Sequence, residues 1–505
     1  MGTINSAFSL ISGALDADQS GLSIIAGNVA NANTPGYSLE NPNWRENVPV
    51  TINGTTYGTG VTETGATSVR DRVLLERLDQ QRQMASASST RLSALNTLQT
   101  LFTPDSGTAS SQAGDIGNDI TNFFNSFSTL EASPGNNAFR QQVLSTASIL
   151  ASDISNAAAS VNMQRGALDQ EAVAVAGQVN ALTAALAQLG KQIQSASPNA
   201  AAGTLEDQRQ QDLSQLSQLI GINQITTENN GLTITTTSGQ TLVAEGTSFN
   251  ITAGTVGGVT HFFLGGTDIT AQLMTGGGSL GGYLTARDQD LTNVMSSLDQ
   301  LAYGVSTEVN AQNQAGVDLV DPTGADVNAK AIFSQPPNAA NATTNLSQLA
   351  AGAARSMRVT MTDPNLIAAA SAGQASGDNS NSIALASLAT SSNPPILNGL
   401  LIGNGQPLPA GQTLLNGLTP SNYYSGFVTS LGSTVSEVET ENTAQNASVM
   451  QLQSQNNALS QVNLNDEASA LTTLERSYQA AAQVFTMLNT LMAAALNLGE
   501  QATVG

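Results

Sequence analysis

Residues 4–29, INSAFSLISGALDADQSGLSIIAGNV, decide how this chain is read. Ile4, Phe8, Ile11, Leu15, Leu22, Ile25 and Val29 recur in alternating steps of four and three, with Asp18 in the one polar slot. A period of about 3.5 residues is the seam of a helix that pairs with another helix. The far end of the chain repeats it. In LTTLERSYQAAAQVFTMLNTLMAAA, residues 471–495, the row is Leu471, Leu474, Tyr478, Ala481, Phe485, Leu488, Met492 and Ala495. Two amphipathic helices in separate cores would also give two such rows, but matching seams at opposite termini favour mutual pairing. Each helix should run roughly 40 Å at about 1.5 Å per residue.

Working inward, the first helix is expected to stop at Asn31-Ala32-Asn33-Thr34-Pro35-Gly36-Tyr37. Asn and Thr compete with the helix backbone, and Pro-Gly suits the two central positions of a type II turn. A turn-rich stretch with strand-like pieces follows, including Val48-Pro49-Val50-Thr51-Ile52. Helical patterning returns over Arg70–Phe102, with Val73, Leu74, Leu78, Leu92, Leu95 and Leu98 as core candidates, and continues over 116–131, 137–163, 165–195 and 205–219. Residues 231–275 read as strands between glycine-rich turns, 283–312 as helix, and 313–362 as a mixed insert ending in the strand Arg358–Met361. A short helix after Pro364, a loose stretch over 373–420 and a long helix from Tyr423 to Gln461 complete the reading.

This nested order predicts a multidomain, mainly α fold. N- and C-terminal coiled-coil helices (1–34 and 462–505) pair. An elongated helical-bundle core is assembled from 35–230, 276–312 and 363–461. A single smaller β-rich outer domain is made from 231–275 and 313–362. A chain that goes out and returns should bring both termini to one end.

Composition narrows the functional classes. Charged residues are only 10% of the 505, against a usual share of about 25%, and aromatics are 4%. Length argues for two to four compact units, with interiors filled mainly by Ala, Leu, Ile and Val. A surface covered by Ser, Thr, Asn and Gln suits packing against copies of itself. With 15 basic against 37 acidic residues, net charge −22, the chain has no basic stripe for phosphates, so neither nucleic acid nor an anionic membrane surface is an expected partner. Cysteine is absent, which removes disulfide scaffolds, thiolate metal sites and thiol catalysis. The N-terminus shows no Sec-type signal pattern; Met1-Gly2-Thr3-Ile4-Asn5-Ser6 fits the myristoylation pattern, but a helix start explains the same residues.

The catalytic inventory is close to empty. His261 is the single histidine and lies beside Phe262 and Phe263 in a strand-like run. Gly276-Gly277-Gly278-Ser279-Leu280-Gly281 fits the string G-x-G-x-x-G, yet a dinucleotide site needs a preceding parallel strand in a βαβ unit. Asp318, Asp321 and Asp326 cluster around Pro322-Thr323-Gly324. Three loop carboxylates could hold a calcium ion, but their spacing misses the twelve-residue calcium loop and suits a turn. No catalytic residue, metal or cofactor is assigned.

Five stretches nevertheless resemble the flagellar axial proteins, and four of them the FlgK family of hook-associated proteins. The first is Asn28-Val29-Ala30-Asn31-Ala32-Asn33-Thr34-Pro35-Gly36-Tyr37-Ser38, where Leu39-Glu40 departs from the Arg-Gln usual in that family. The second is Phe123-Phe124 through Pro134 to Arg140-Gln141-Gln142-Val143-Leu144; the third runs from Gln178 through Leu189-Gly190-Lys191 to Leu213-Ser214-Gln215-Leu216. The fourth is Leu280–Asp288 with Leu298-Asp299-Gln300-Leu301-Ala302, and the fifth Val462–Ala468 with Tyr478–Val484.

The resemblance implies a structural part at the junction of hook and filament, without catalytic activity. It implies export through the flagellar type III apparatus. The implied partners are copies of itself in a ring, the hook protein, the second junction protein FlgL and an export chaperone. The assembly interface would be Ile4, Phe8, Ile11, Leu15, Leu22, Ile25 and Val29 with Leu474, Tyr478, Phe485, Leu488 and Met492, and the family turn Asn31, Asn33, Thr34, Pro35, Gly36 and Tyr37. A rod or hook structural protein is the nearest alternative, and a secreted hydrolase using the Asp318 cluster a remote one.

Overall fold

A computed structural model describes the chain apart from residues 1, 53, 103–114, 196–202, 227–230, 322–329, 339–344, 376, 393, 398–400, 403–405, 408–412 and 502–505. From the N-terminus run α1 (Gly2–Asn31), β1 (Glu40–Glu46), β2 (Val50–Ile52), β3 (Thr55–Tyr57), β4 (Val61–Ser68) and α2 (Arg72–Thr100). Three helices follow, α3 (Ile116–Glu131), α4 (Asn137–Ser195) and α5 (Gly203–Leu219). Next come β5 (Ile222–Thr226), β6 (Leu232–Thr236), β7 (Thr241–Ala244), β8 (Thr247–Ser248), β9 (Ile251–Val256), β10 (Val259–Leu264) and β11 (Thr267–Asp268). Helices α6 (Thr270–Gly276), α7 (Gly278–Thr285) and α8 (Leu291–Ala315) are interrupted by a π-helical turn, Ala286–Asp290. Short pieces follow: β12 (Gly316–Val317), α9 (Leu346–Ala350), α10 (Ala353–Ser356), β13 (Ala370–Ser371), α11 (Ser380–Ser387), β14 (Leu401–Ile402) and β15 (Gln406–Pro407). Two long helices, α12 (Pro420–Ser460) and α13 (Leu464–Gln501), close the chain.

The chain forms two compact units, one of Met1–Ala87, Ala174–Gly281 and Thr443–Gly505, the other of Ser88–Val173 and Gly282–Asn442. In the first, α1 packs along α13, as the two seams predict. The Phe8 and Phe485 rings meet at 4.5 Å and 44°. Gly21 permits the close approach: a Cβ there would lie 2.9 Å from Leu474 Cδ1. Strands β1 and β4 pair antiparallel from Glu40↔Ser68 to Glu46↔Val61, with β2 and β3 as a hairpin between them. Pro42 stands where the ladder shifts register, a place that needs no N–H from it. Strands β5 to β8 form an antiparallel sheet whose β6 alternates buried and half-buried residues. Strands β9 to β11 form a second sheet, fixed to α4 by Asn180, whose amide donates to Ile251 O and accepts from Ile251 N–H, both at 2.8 Å.

The second unit is a helical bundle. Ile116, Ile120, Phe123 and Phe127 recur at helical spacing on α3 and are fully buried. Phe123 is ringed by Phe124, Phe127 and Phe333 at centroid distances of 5.1, 5.2 and 5.4 Å. Alanines on α4, including Ala147, Ala157 and Ala158, bring that helix close to the same core. This helix is long and apolar enough, by length and composition, to cross a membrane; its apolar face is instead occupied by the protein core.

Two details differ from the sequence reading. Helix α4 is continuous where two segments were expected, because Gly166 at its middle costs only about 1 kcal/mol and does not stop a helix with strong formers on both sides. The two segments assigned to one outer domain fall in different units, 231–275 in the first and 313–362 in the second. Within 313–362, Ile332, Phe333 and Met361 join the bundle core, and Phe333 makes an isolated bridge to Val359. Turn-rich texture is common to both segments, but the burial of these apolar side chains decides where each belongs.

Candidate assembly site

The turn after α1 sets the geometry. Asn31 donates from its side chain to Gly27 O at 3.0 Å, capping the last turn of α1, and Thr34 N–H bonds to Asn31 O at 2.8 Å. Tyr37 N–H then bonds to Thr34 O at 3.2 Å, closing a turn in which Gly36 has φ +83°. That is the type II turn expected from Pro35-Gly36. Beyond it the chain is tied to α5 and α12. Ser38 N–H reaches Asp207 Oδ2 at 3.4 Å, and Leu39 N–H donates to Ser460 O at 2.8 Å. Arg70 secures the α5 side through Asp207 at 2.6 Å, Glu206 at 3.1 Å and Gly203 O at 2.9 Å.

Asn28 is the hub. Only 1% exposed, it donates to Glu40 O at 2.9 Å and Glu467 Oε2 at 3.1 Å, and accepts from Tyr37 Oη–H at 2.8 Å and Glu40 N–H at 3.0 Å. One amide therefore joins α1, the turn, β1 and the first turn of α13. Burial, together with the carboxylates of Glu40, Asp207 and Glu467, pushes Tyr37 up to about 12, so its hydroxyl remains a donor. Burial, reinforced by Asp207, also raises Glu40. Sequence reasoning quoted Asn28 and Glu467 inside family motifs but gave neither a role. The available signal was a polar side chain beside an apolar seam, a device that fixes helix register.

The seam residues are not equally covered. Ile25 is buried, while Phe8, Ile11, Leu15, Leu22, Leu474, Phe485, Leu488 and Met492 are half-buried. Val29 and Tyr478 are 45% and 39% exposed. The side chains of Ile4 and Ala495 lie outside the described residues. A second apolar row on α13, Val484, Met487 and Leu491, is exposed beside the seam. Asn33, Thr34, Pro35 and Gly36 are exposed and, with Tyr37, Arg82, Gln210 and Gln453, line a cleft of about 520 Å³. Its lining of amides and hydroxyls, with the guanidinium groups of Arg70 and Arg82, offers donors and acceptors.

The remaining candidates occupy structural positions. His261 Nδ1 pairs with Asp268 Oδ2 at 2.6 Å on the surface of the β9–β11 sheet, and the N–H and hydroxyl of Thr270 hold Asp268 below its usual range. Gly276 ends α6 and Gly278 begins α7, so the glycine string joins two helices and follows no parallel strand. Asp318 is buried: its Oδ1 accepts from Val320 N–H at 2.7 Å and Asp321 N–H at 2.6 Å, and Oδ2 faces Lys330 Nζ at 3.5 Å. This is turn chemistry completed by a buried ion pair. Asp326 lies outside the described residues.

Comparison with known proteins converges on the same reading. The family described as the flagellar hook-associated protein FlgK helical domain matches residues 103–327, and the flagella basal body rod protein family matches 11–37. "Flagellar hook-associated protein 1" of Escherichia coli K12 is 24% identical across 96% of this chain and 98% of its own length. Its namesake from Bacillus subtilis is 25% identical over 96% of both. By these matches the chain is similar to the FlgK proteins over most of its length. A solved structure, titled as the flagellar hook junction protein FlgK from Burkholderia pseudomallei, agrees in fold at TM-score 0.60 and 18% identity, covering 75% of this chain and 99% of that one. FlgK-family proteins are hook-associated structural components of the flagellum, and the rod-protein match falls on α1 and its turn.

Proposed function

We propose that the chain is a junction subunit that connects hook to filament as a ring of copies packed through their terminal helices. It leaves the cell unfolded through the flagellar type III apparatus. Its partners are then other copies of itself, the hook protein below, the second junction protein FlgL above, and an export chaperone beforehand. The observation that carries this reading is the incomplete burial of the α1–α13 pair. A seam left half-exposed, with Met487 and Leu491 56% and 61% exposed beside it, is an apolar surface that neighbouring subunits would cover.

Phe485→Asp tests it. The ring of Phe8 is the neighbour in the monomer, so a half-exposed charge can still reach water, the loss is confined to the α1–α13 pair, and the second unit should melt as in the wild type. In a packed ring the carboxylate would be desolvated at a cost of several kcal/mol. Cells making this variant should carry hooks without filaments. Normal filament growth would refute a buried seam at Phe485.

A further inference from the structure

The second unit carries a cleft of about 340 Å³ with Arg165 and Arg355 in its walls and Val161, Leu291 and Met295 among its apolar lining. The chain has only 15 basic residues and net charge −22, and whereas Arg70 and Arg82 in the first unit's cleft are ion-paired, neither Arg165 nor Arg355 has a salt bridge among the described residues. Arg165 has no hydrogen bond or ion pair among the described residues. Asp299, the carboxylate in the lining, is already engaged: it accepts from Gly352 N–H and Ala354 N–H, both at 2.9 Å, and has no salt bridge to Arg355. The cleft thus presents positive charge around an apolar lining, the combination that recognises a carboxylate-bearing helix face.

The same unit displays such a face. Glu437 and Glu441 stand one turn apart on α12 and are exposed, while Val438 between them is 1% exposed and anchors the helix in the core. Arg91 senses both carboxylates, but its guanidinium is held by Asp290 through bonds of 2.8 and 2.9 Å. The lining of the cleft includes neither glutamate, so the union of cleft and acidic face between two copies would join unlike patches, a head-to-tail contact of the kind that builds rings and helical arrays. We propose that the Arg165–Arg355 cleft of one copy receives the Glu437/Glu441 face of α12 from the next. This inference rests on the reading that copies pack together in the flagellum.

Charge exchange tests it in cells lacking the wild-type chain. Arg165→Glu with Arg355→Glu should reduce filamented hooks by about ten-fold or more, since like charges would meet, and so should Glu437→Arg with Glu441→Arg. The four changes together should restore the count. Reversals that leave filaments unchanged, or a four-fold variant no better than the reversals alone, would overturn the contact. Because a reversal could also impair folding, a cross-link provides a second measure. The chain lacks cysteine, so Arg355→Cys and Glu441→Cys variants expressed together should give a reducible dimer in oxidised hook preparations. Both variants present on hooks without that dimer would sink the proposal. Polyglutamate binding by the wild-type monomer that is lost in Arg165→Glu/Arg355→Glu, while that variant still forms filaments normally, would assign the cleft to a different acidic partner and equally overturn the self-contact. A tagged wild-type chain found away from hooks would instead remove the assembly reading, and this inference with it.

Discussion

The bundle of the second unit and the terminal helix pair use similar amphipathic helices but finish them differently. On α3, seven of sixteen residues are buried, and Phe123, Ile116 and Ile120 are fully so. On α13, Glu467 is buried, whereas Leu474, Phe485, Leu488 and Met492 remain half-buried against α1. Two helices laid side by side can each cover only a narrow stripe, whereas a bundle surrounds each helix with neighbours. The contrast teaches that one region carries its own stability and the other has surface left for partners. Local stability should follow, with the least buried element opening first.

The largest effect should come from the finished region. Phe123→Ala would remove a ring in contact with three other phenylalanines and leave a cavity, costing about 3–5 kcal/mol. In calorimetry the transition of the second unit should fall while that of the first stays in place. A uniform fall of all transitions would show that the two units do not unfold separately.

In the terminal pair the most costly single change should be polar. Asn28→Leu would strip partners from Tyr37 Oη, Glu40 N–H and O, and the buried Glu467 carboxylate. Leaving buried polar groups unmatched costs about 1–3 kcal/mol, concentrated where the hub joins the helices. Hydrogen exchange at the C-terminal end of α1 and the start of α13 should accelerate, with α3 and α4 unchanged. Unchanged exchange in the terminal helices would mean that the seam, and not the hub, holds them.

Proton linkage should move the two regions apart by a smaller amount. Asp119 on α3 faces Asp153 on α4, and its buried Oδ2 has no donor unless the pair retains a proton. Burial first, then Asp153 and Asp115, pushes Asp119 up to about 7; its charge in turn reaches Tyr424 on α12. Burial alone raises Glu308, 4% exposed, to about 7. Both groups hold a proton in the folded state that the unfolded chain releases near pH 4, so folding takes up protons between those values. Stability of the second unit should be greatest below about pH 4 as far as these groups decide it, fall as pH rises to about 7, and then level off. Melting at pH 5 and pH 8 checks the sign. A second unit more stable at pH 8 would show that Asp119 and Glu308 are ionised in the fold without penalty.

What could be read in advance follows from how far each feature reaches along the chain. The seam ending in Phe8 and Phe485 was legible because a 3.5-residue period is written locally in each helix. So was the turn, since Pro35-Gly36 carries its own dihedral preferences, and so were the bounds of the helix over 116–131. Asn28 was not, because its inward orientation is set by Glu40 and Glu467, and the latter is 439 positions away. Near the end of α1 the neighbours are a hairpin, a turn and a carboxylate, so the polar Asn28 faces in and Val29 stays 45% exposed. The separation of 231–275 from 313–362 was hidden for the same reason: local texture does not name a packing partner.

The smallest effects come from glycines, and they should differ in sign. Both Gly21 and Gly27 interrupt α1, where an exposed helical glycine costs about 1 kcal/mol relative to alanine. Only Gly21 is required by packing, since its added Cβ would meet Leu474 and Trp44 at 2.9 and 3.2 Å. Gly27 has nothing within 4 Å, so Gly27→Ala should stabilise α1 by about 0.5–1 kcal/mol. Gly36 also has room, its nearest neighbour being Gln211 at 3.9 Å, but its φ of +83° is strained for any residue with a Cβ. Gly36→Ala should therefore destabilise the turn by about 1 kcal/mol or slightly more. Hydrogen exchange of α1 reads both: slower in Gly27→Ala, faster in Gly36→Ala. If the stabilised Gly27→Ala monomer also exports or assembles less well, looseness in the terminal pair is itself useful, and the half-finished seam is a requirement of assembly. If it assembles as well as the wild type, apolar coverage alone separates the terminal pair from the bundle.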